Sequence, residues 1–188
     1  MGKSNLYSIG HSNKTLEELI QELRQYGIQY LIDVRSTPYS KFHPQFNREQ
    51  LKAAINATDD ITYGYMGDVI GGMPQNTLCY TEGKVDYGKI RQMSFFTEGI
   101  NRLVTANEKG YKTCVMCSEG DPKMCHRSKL IGEALRERGI NLQHICRDHA
   151  GNTILKSQID VINELNGGDN LVDLFGETEN LTSRKAYI

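Results

Sequence analysis

Residues 114–128, Cys-Val-Met-Cys-Ser-Glu-Gly-Asp-Pro-Lys-Met-Cys-His-Arg-Ser, concentrate the reactive groups of this chain. Two thiols (Cys117, Cys125), an imidazole (His126), a guanidinium (Arg127), a hydroxyl (Ser128) and a carboxylate (Glu119) lie within a dozen positions. Packing alone does not call for such a set. Three chemistries suit it. A cysteine beside His or Arg and near a helix start loses its proton readily and serves as a nucleophile. Proximity to the helix favours Cys125 in that role, and a position at a strand end favours Cys117. Alternatively Cys117, Cys125, His126 and the distant His11 offer soft ligands for zinc or iron. The C-x7-C-H spacing matches no common structural zinc pattern, however, and adjacent Cys and His ligands crowd one another. No metal is therefore favoured, and no motif requires a cofactor. Finally, Arg35, Ser36, Arg127, Ser128 and the unpaired N–H groups of a helix start could hold a phosphate.

The elements that must position these groups follow from hydrophobic periodicity. Thr113–Met116 reads as a buried strand ending at Cys117, and Asp121-Pro122 as the cap and first residue of the helix that carries residues 125–128. Leu6–Ile9 is a first strand that runs into Gly10-His11-Ser12. Thr15 and Glu18 form a capping box for a helix with the stripe Leu16, Leu19, Ile20, Leu23 and Tyr26, closed by Gly27. Ile28–Val34 is a continuous apolar run, as in a strand covered on both faces, and delivers Asp33, Arg35 and Ser36. Asn47 and Gln50 predict a capping box for a second helix, with Phe46 and Leu51 as its hydrophobic staple. A third strand at 61–65, a helix over 89–109, a strand over 141–146 and a helix near 157–165 follow. Residues 66–88 show no sustained period and recur in Gly67, Gly71, Gly72 and Pro74.

This alternation predicts an α/β fold: one domain over 1–188, with a mostly parallel sheet of about five strands and helices on both faces, Rossmann-like or flavodoxin-like in its three layers. Residues 169–188 form a tail that packs on the domain or a partner, with Leu171, Val172, Leu174 and Phe175 as its apolar cluster. In such sheets ligands bind at the carboxyl ends of the strands. There the pattern gathers His11 and Ser12, Asp33, Arg35 and Ser36, and Cys117 and Glu119. Cys114 and Cys117 form a C-x-x-C, yet residues three apart on a strand face opposite ways, which argues against a redox pair. Cys79, Cys146, His43 and His144 read as structural. Tyr39, Phe42, Phe46, Tyr63, Tyr65 and Tyr80 include rings able to stack on a base.

A net charge of −1 gives no bulk electrostatic reason for a membrane or nucleic-acid partner, though a local basic patch leaves nucleic acid possible. No apolar run reaches the length of a membrane span, no signal-peptide core is visible, and the five cysteines do not form a disulfide framework. A cytoplasmic protein is expected. Dinucleotide-binding, Walker and nucleophile-elbow motifs are absent.

Several stretches together resemble family 488 of the domains of unknown function. These are Ser8-Ile9-Gly10-His11-Ser12-Asn13, Leu31–Ser36 with Pro38, Pro44-Gln45-Phe46-Asn47, Gly67-Asp68 with Gly71-Gly72, and Met116-Cys117-Ser118-Glu119. Asp121-Pro122 with Cys125-His126-Arg127-Ser128, His144-Ile145 and Leu174-Phe175-Gly176 complete the set, which spans roughly residues 5–185. The resemblance implies an intracellular bacterial or archaeal α/β protein with a Cys/His-containing site. Met73 departs from it, since the family often has Arg before this proline. A fainter likeness is to rhodanese-type sulfurtransferases, but Arg127 lies ten positions beyond Cys117, too far for their cradle or for a C-x5-R phosphatase loop.

The expectation is an intracellular α/β protein acting as an enzyme on a phosphate-bearing small molecule or nucleotide. Arg35, Ser36, Arg127 and Ser128 would bind the anion and Cys117 or Cys125 would react. His11, Glu119 or His126 would move protons, with Asp33 and Ser12 in support. The rivals are a non-catalytic nucleotide- or nucleic-acid-binding protein and rhodanese-like sulfur transfer. The sequence decides neither between these nor the oligomeric state.

Overall fold

A computed structural model describes residues 4–165 and 181–188. The strands β1 (Leu6–Gly10), β2 (Tyr30–Asp33) and β3 (Thr62–Tyr65) alternate with helices α1 (Leu16–Gln25) and α2 (Arg48–Asn56). Next come α3 (Gly67–Ile70), a hairpin of β4 (Tyr80–Thr81) and β5 (Lys84–Asp86), and helices α4 (Tyr87–Arg91) and α5 (Ser94–Glu108). Then β6 (Thr113–Cys117) leads to a π-helical segment, Arg127–Gly132, that runs on into α6 (Glu133–Arg136). The strands β7 (Gln143–Arg147) and β8 (Thr153–Ser157), helix α7 (Gln158–Leu165) and strand β9 (Thr182–Ala186) complete the order.

The main sheet has the order β3-β2-β6-β1-β7-β8. Five strands are parallel, and β8 joins β7 antiparallel at the edge. The expected three-layer α/β architecture is thus present, with one strand more than anticipated. Its two faces are separate apolar cores. Tyr7, Ile9, Leu31, Cys114 and Met116 point to α1 and α2, meeting Leu19, Leu23, Leu51 and Ile55. Leu6 and Val115 point to α5 and α6, meeting Phe96, Ile100, Leu103, Ala134 and Leu135. Cys114 and the half-buried Cys117 therefore sit on opposite faces, as the strand period requires.

From β1 the chain moves outward through β2 to β3, then returns to insert β6 between β1 and β2 and crosses β1 to reach β7. The connections leaving β6 and its neighbours diverge, so the crevice of this sheet opens at the carboxyl ends of β1, β6 and β2. Pairing continues past the strand ends there, with His11 N–H on the Cys117 carbonyl (3.0 Å) and Ser12 N–H on that of Ser118 (2.9 Å). Gly10 makes this close approach possible, because a Cβ on it would lie 1.9 Å from the Glu119 carbonyl oxygen. Gly10→Ala is expected to destabilise the protein by about 1–3 kcal/mol through overpacking, measured by urea unfolding.

Some local expectations change. The Thr15–Glu18 capping box forms, but Asn47 does not cap α2 with its side chain. Its Oδ1 instead accepts the Ser40 N–H (2.7 Å) and ties down the preceding loop. The helix expected over 89–109 breaks at Gln92-Met93 into α4 and α5. Asp121-Pro122 opens a separate 3-10 turn, Pro122–Met124, and not the helix itself. The chain then extends at Cys125, whose carbonyl accepts from the Ser128 and Lys129 N–H groups. Cys125 thus stands at the helix's capping position, with Arg127 and Ser128 in its first turn. A second sheet, β4-β5-β9, is antiparallel and lies within the segments read as loop and tail. The Leu171, Val172, Leu174 and Phe175 cluster lies outside the described residues.

Candidate functional site

The carboxyl edge of β1, β2 and β6 opens into a cavity of about 600 Å³. His11, Ser12, Arg35, Ser36, Cys117, Glu119, Cys125 and His126 all line it. Strands that are parallel put their ends on one edge, so segments far apart in sequence meet there. Arg127 and Ser128 lie behind that lining, fully buried, as does Asp33.

Beneath the cavity floor, Asp33 grips Arg35 through two contacts, Nε to Oδ1 at 2.8 Å and Nη2 to Oδ2 at 2.6 Å. Tyr63 donates its hydroxyl to Asp33 Oδ2 (2.9 Å), and burial followed by the Asp33 charge pushes its pKa up. Arg35 Nη2 also donates to the Phe46 carbonyl (2.7 Å). His11 stacks on the Phe46 ring, centroids 4.2 Å apart. Its Nδ1–H donates to the Ser12 carbonyl (2.9 Å), which leaves Nε2 to accept from Arg35 Nη1 (3.3 Å). Burial chiefly, with Arg35 contributing, holds His11 at a pKa of about 4, so the ring is a neutral wedge that steers the guanidinium.

The sulfur cluster sits beside it. His126 Nδ1 lies 3.6 Å from Cys125 Sγ and 3.8 Å from Cys117 Sγ. Its Nε2–H donates to the Val34 carbonyl (3.2 Å), turning Nδ1 toward both sulfurs. Arg127 Nε donates to Cys125 Sγ (3.4 Å). Burial opposes ionisation of Cys125, but the Cys117 S–H, Arg127 and His126 outweigh it and hold this thiol well below its ordinary range. Cys117 is pushed up, first because its proton is shared with Cys125 and then by burial. Arg127 spends its other donors on Ser8 Oγ (3.2 Å), the Glu119 carbonyl (2.5 Å) and the Gly120 carbonyl (3.5 Å). Ser128 Oγ has no partner among the described residues.

The glycine-rich loop closes one wall. Ser36 Oγ accepts the Met73 N–H (3.0 Å), and a Cβ on Gly72 would come within 2.8 Å of the His126 ring. The cavity also contains residues the sequence did not single out. Ser183, Arg184, Lys185 and Tyr187 reach it from β9 and its end, and Arg184 Nη1 lies 3.7 Å from Glu119 Oε2. His43, read as structural, lines it too, its ring centroid 6.1 Å from that of His11. A second cavity of similar volume, on the far side of Ser12 and Asn13, holds one thiol, Cys146, which burial pushes up. It lacks the sulfur–imidazole cluster of the first cavity.

The model of the family described as a domain of unknown function, DUF488, matches residues 15–134. The chain belongs to that family. The DUF488 stretch contains Arg35, Cys117, Glu119, Cys125 and His126, whereas His11 precedes it and Arg184 and Lys185 follow it. No curated protein and no solved structure matches the chain. No helix among the described residues is long and apolar enough to cross a membrane.

Proposed function

We propose that this DUF488 protein is an enzyme acting on a phosphate-bearing small molecule or nucleotide, with the Cys117–Cys125–His126 cluster as its reactive centre. One observation carries this reading: the cluster shares its cavity with Arg35, Arg184 and Lys185. Cationic donors around a reactive centre in an open cavity suit a phosphate, which takes charge-assisted hydrogen bonds. Arg35 and Ser36 hold the inner oxygens, and Arg184 and Lys185 close over the outer ones. Arg127 and Ser128 act from behind the wall, Arg127 through the Cys125 sulfur. Glu119, His126 and His11 are the groups in reach for moving protons, while Asp33 and Ser12 keep Arg35 and His11 in place. Tyr39, 63% exposed in the cavity lining, offers a ring for a base, which favours a nucleotide over bare phosphate. A reducing, cytoplasmic setting suits the five free thiols.

The test replaces the two cations that stand farthest from the core. Arg184→Ala with Lys185→Ala is expected to weaken binding of pyrophosphate and of a nucleoside triphosphate by about 10–100-fold, the equivalent of one or two charged hydrogen bonds. Isothermal titration reads it directly. Unchanged affinity, or no binding by the unaltered protein, would remove the proposed substrate class.

A further inference from the structure

We propose that Cys117, Cys125 and His126 form a three-ligand site for a tetrahedral transition-metal ion, zinc above all, with its fourth position open to the cavity. The donor atoms Sγ, Sγ and Nδ1 lie within 4.8 Å of one another. A tetrahedral zinc with bonds of about 2.3 Å to sulfur and about 2.05 Å to nitrogen separates S from N by about 3.6 Å. The two sulfur–nitrogen distances here are 3.6 and 3.8 Å. Both sulfur–nitrogen spacings are therefore already those of a bound ion.

Three further features fit. His126 donates Nε2–H to the Val34 carbonyl, the outer contact that orients a metal-binding imidazole and frees its other nitrogen. Arg127 Nε supports the Cys125 sulfur in the same way. The adjacency of Cys125 and His126 is no obstacle, because Cys125 is extended while His126 is helical (φ −127° and −61°), so both side chains reach the same point. His11, the fourth ligand the sequence offered, is held by the Ser12 carbonyl and Arg35 and does not join the cluster. Three protein ligands facing a cavity is the pattern of catalytic zinc, whereas structural zinc is closed by four. Water or an anionic oxygen of the cavity's ligand takes the remaining place. Only that last point rests on the proposed phosphate-binding role.

The full chain, stripped by chelator under reducing conditions, is loaded with Zn²⁺ or Co²⁺. Elemental analysis is expected to find about one ion per chain, and Co²⁺ to show the intense visible bands of a tetrahedral thiolate site. In chelator competition, Cys117→Ser and Cys125→Ser should each weaken Zn²⁺ binding by more than the roughly 10–100-fold loss that follows removal of an outer contact. Cys146→Ser, in the other cavity, should not. Should a variant fail to fold, alkylation of the unaltered protein gives the answer: Zn²⁺ should protect Cys117 and Cys125 from labelling, located by mass spectrometry. Substoichiometric metal, octahedral Co²⁺ spectra or absence of protection would overturn the site. Loss of phosphate binding with metal retained would strike only the proposed function.

Discussion

Arg127→Met is expected to lower the unfolding free energy by about 3–5 kcal/mol, enough to remove much of the stability of a protein this size. Arg127 is the largest fully buried side chain among the described residues. Methionine replaces its aliphatic stem but none of its donors. The Glu119 and Gly120 carbonyls and Ser8 Oγ would each lose an N–H, and the Cys125 sulfur would lose the cation beside it. Each buried acceptor left unpaired costs about 1–3 kcal/mol. Lysine should not rescue, since a point charge cannot reproduce a fork that serves four partners in different directions. Arg24→Met is the contrast. That guanidinium pairs Asp60 at 2.8 Å, but both side chains are 51% exposed and water screens the pair, so the loss should be far smaller than for Arg127. Urea unfolding with an unchanged slope checks both. Equal losses for the two variants would mean that the Arg127 network is not what holds the loop over the cavity.

The parts of this site that the sequence reveals are those that sit on long, periodic elements. β1, β2 and β6 are apolar runs followed at once by polar groups, so the convergence of His11, Arg35 and Cys117 follows from parallel pairing alone. Residues 80–86 were opaque because β4 and β5 have two and three residues, too few to show alternation. β9 reads Thr-Ser-Arg-Lys-Ala, without an apolar face, and its partner lies about a hundred positions upstream, a pairing that no local pattern encodes. Arg184 and Lys185 were invisible for that reason. Asp-Pro signals a 3-10 turn as well as a helix start, which is why the sequence pattern puts the helix a few residues too early. Arg127 posed a different problem: residue type suggests a ligand-facing cation, and only the packing of β1 and the 119–120 loop turns it inward.

Acid should begin to destabilise the protein at a pH above the range in which its carboxylates titrate. His144 is fully buried in β7, and burial, reinforced by Arg127, brings its pKa down to about 3. His11 falls to about 4, again chiefly through burial. Both native values lie below the unfolded value of about 6.5, so the unfolded chain takes up these protons first. Stability is therefore full above pH ~6.5 and declines as pH falls toward 4, by about 1.4 kcal/mol per pH unit for each ring. Together they remove roughly 5 kcal/mol by pH 4.5. Glu18, Asp60, Asp148 and Glu164, whose pKa values are lowered, contribute only below that window. The hydrogen bonds around His144 explain why the charged ring has no place. Arg127 Nη1 donates to Ser8 Oγ, whose O–H then donates to His144 Nδ1 at 2.6 Å. His144 Nε2–H donates to Gln158 Oε1 (2.7 Å), and the Gln158 amide donates to Glu133 Oε1 (2.9 Å) and to the Ser128 carbonyl (3.1 Å). Every donor in this relay runs one way. A proton on Nδ1 would force Ser8 Oγ to accept twice and strand its own hydrogen. His144→Asn should therefore be less stable at pH 7 yet lose about half of the decline between pH 7 and pH 5, read from urea midpoints. A decline as steep as that of the unaltered protein would place the acid sensitivity elsewhere.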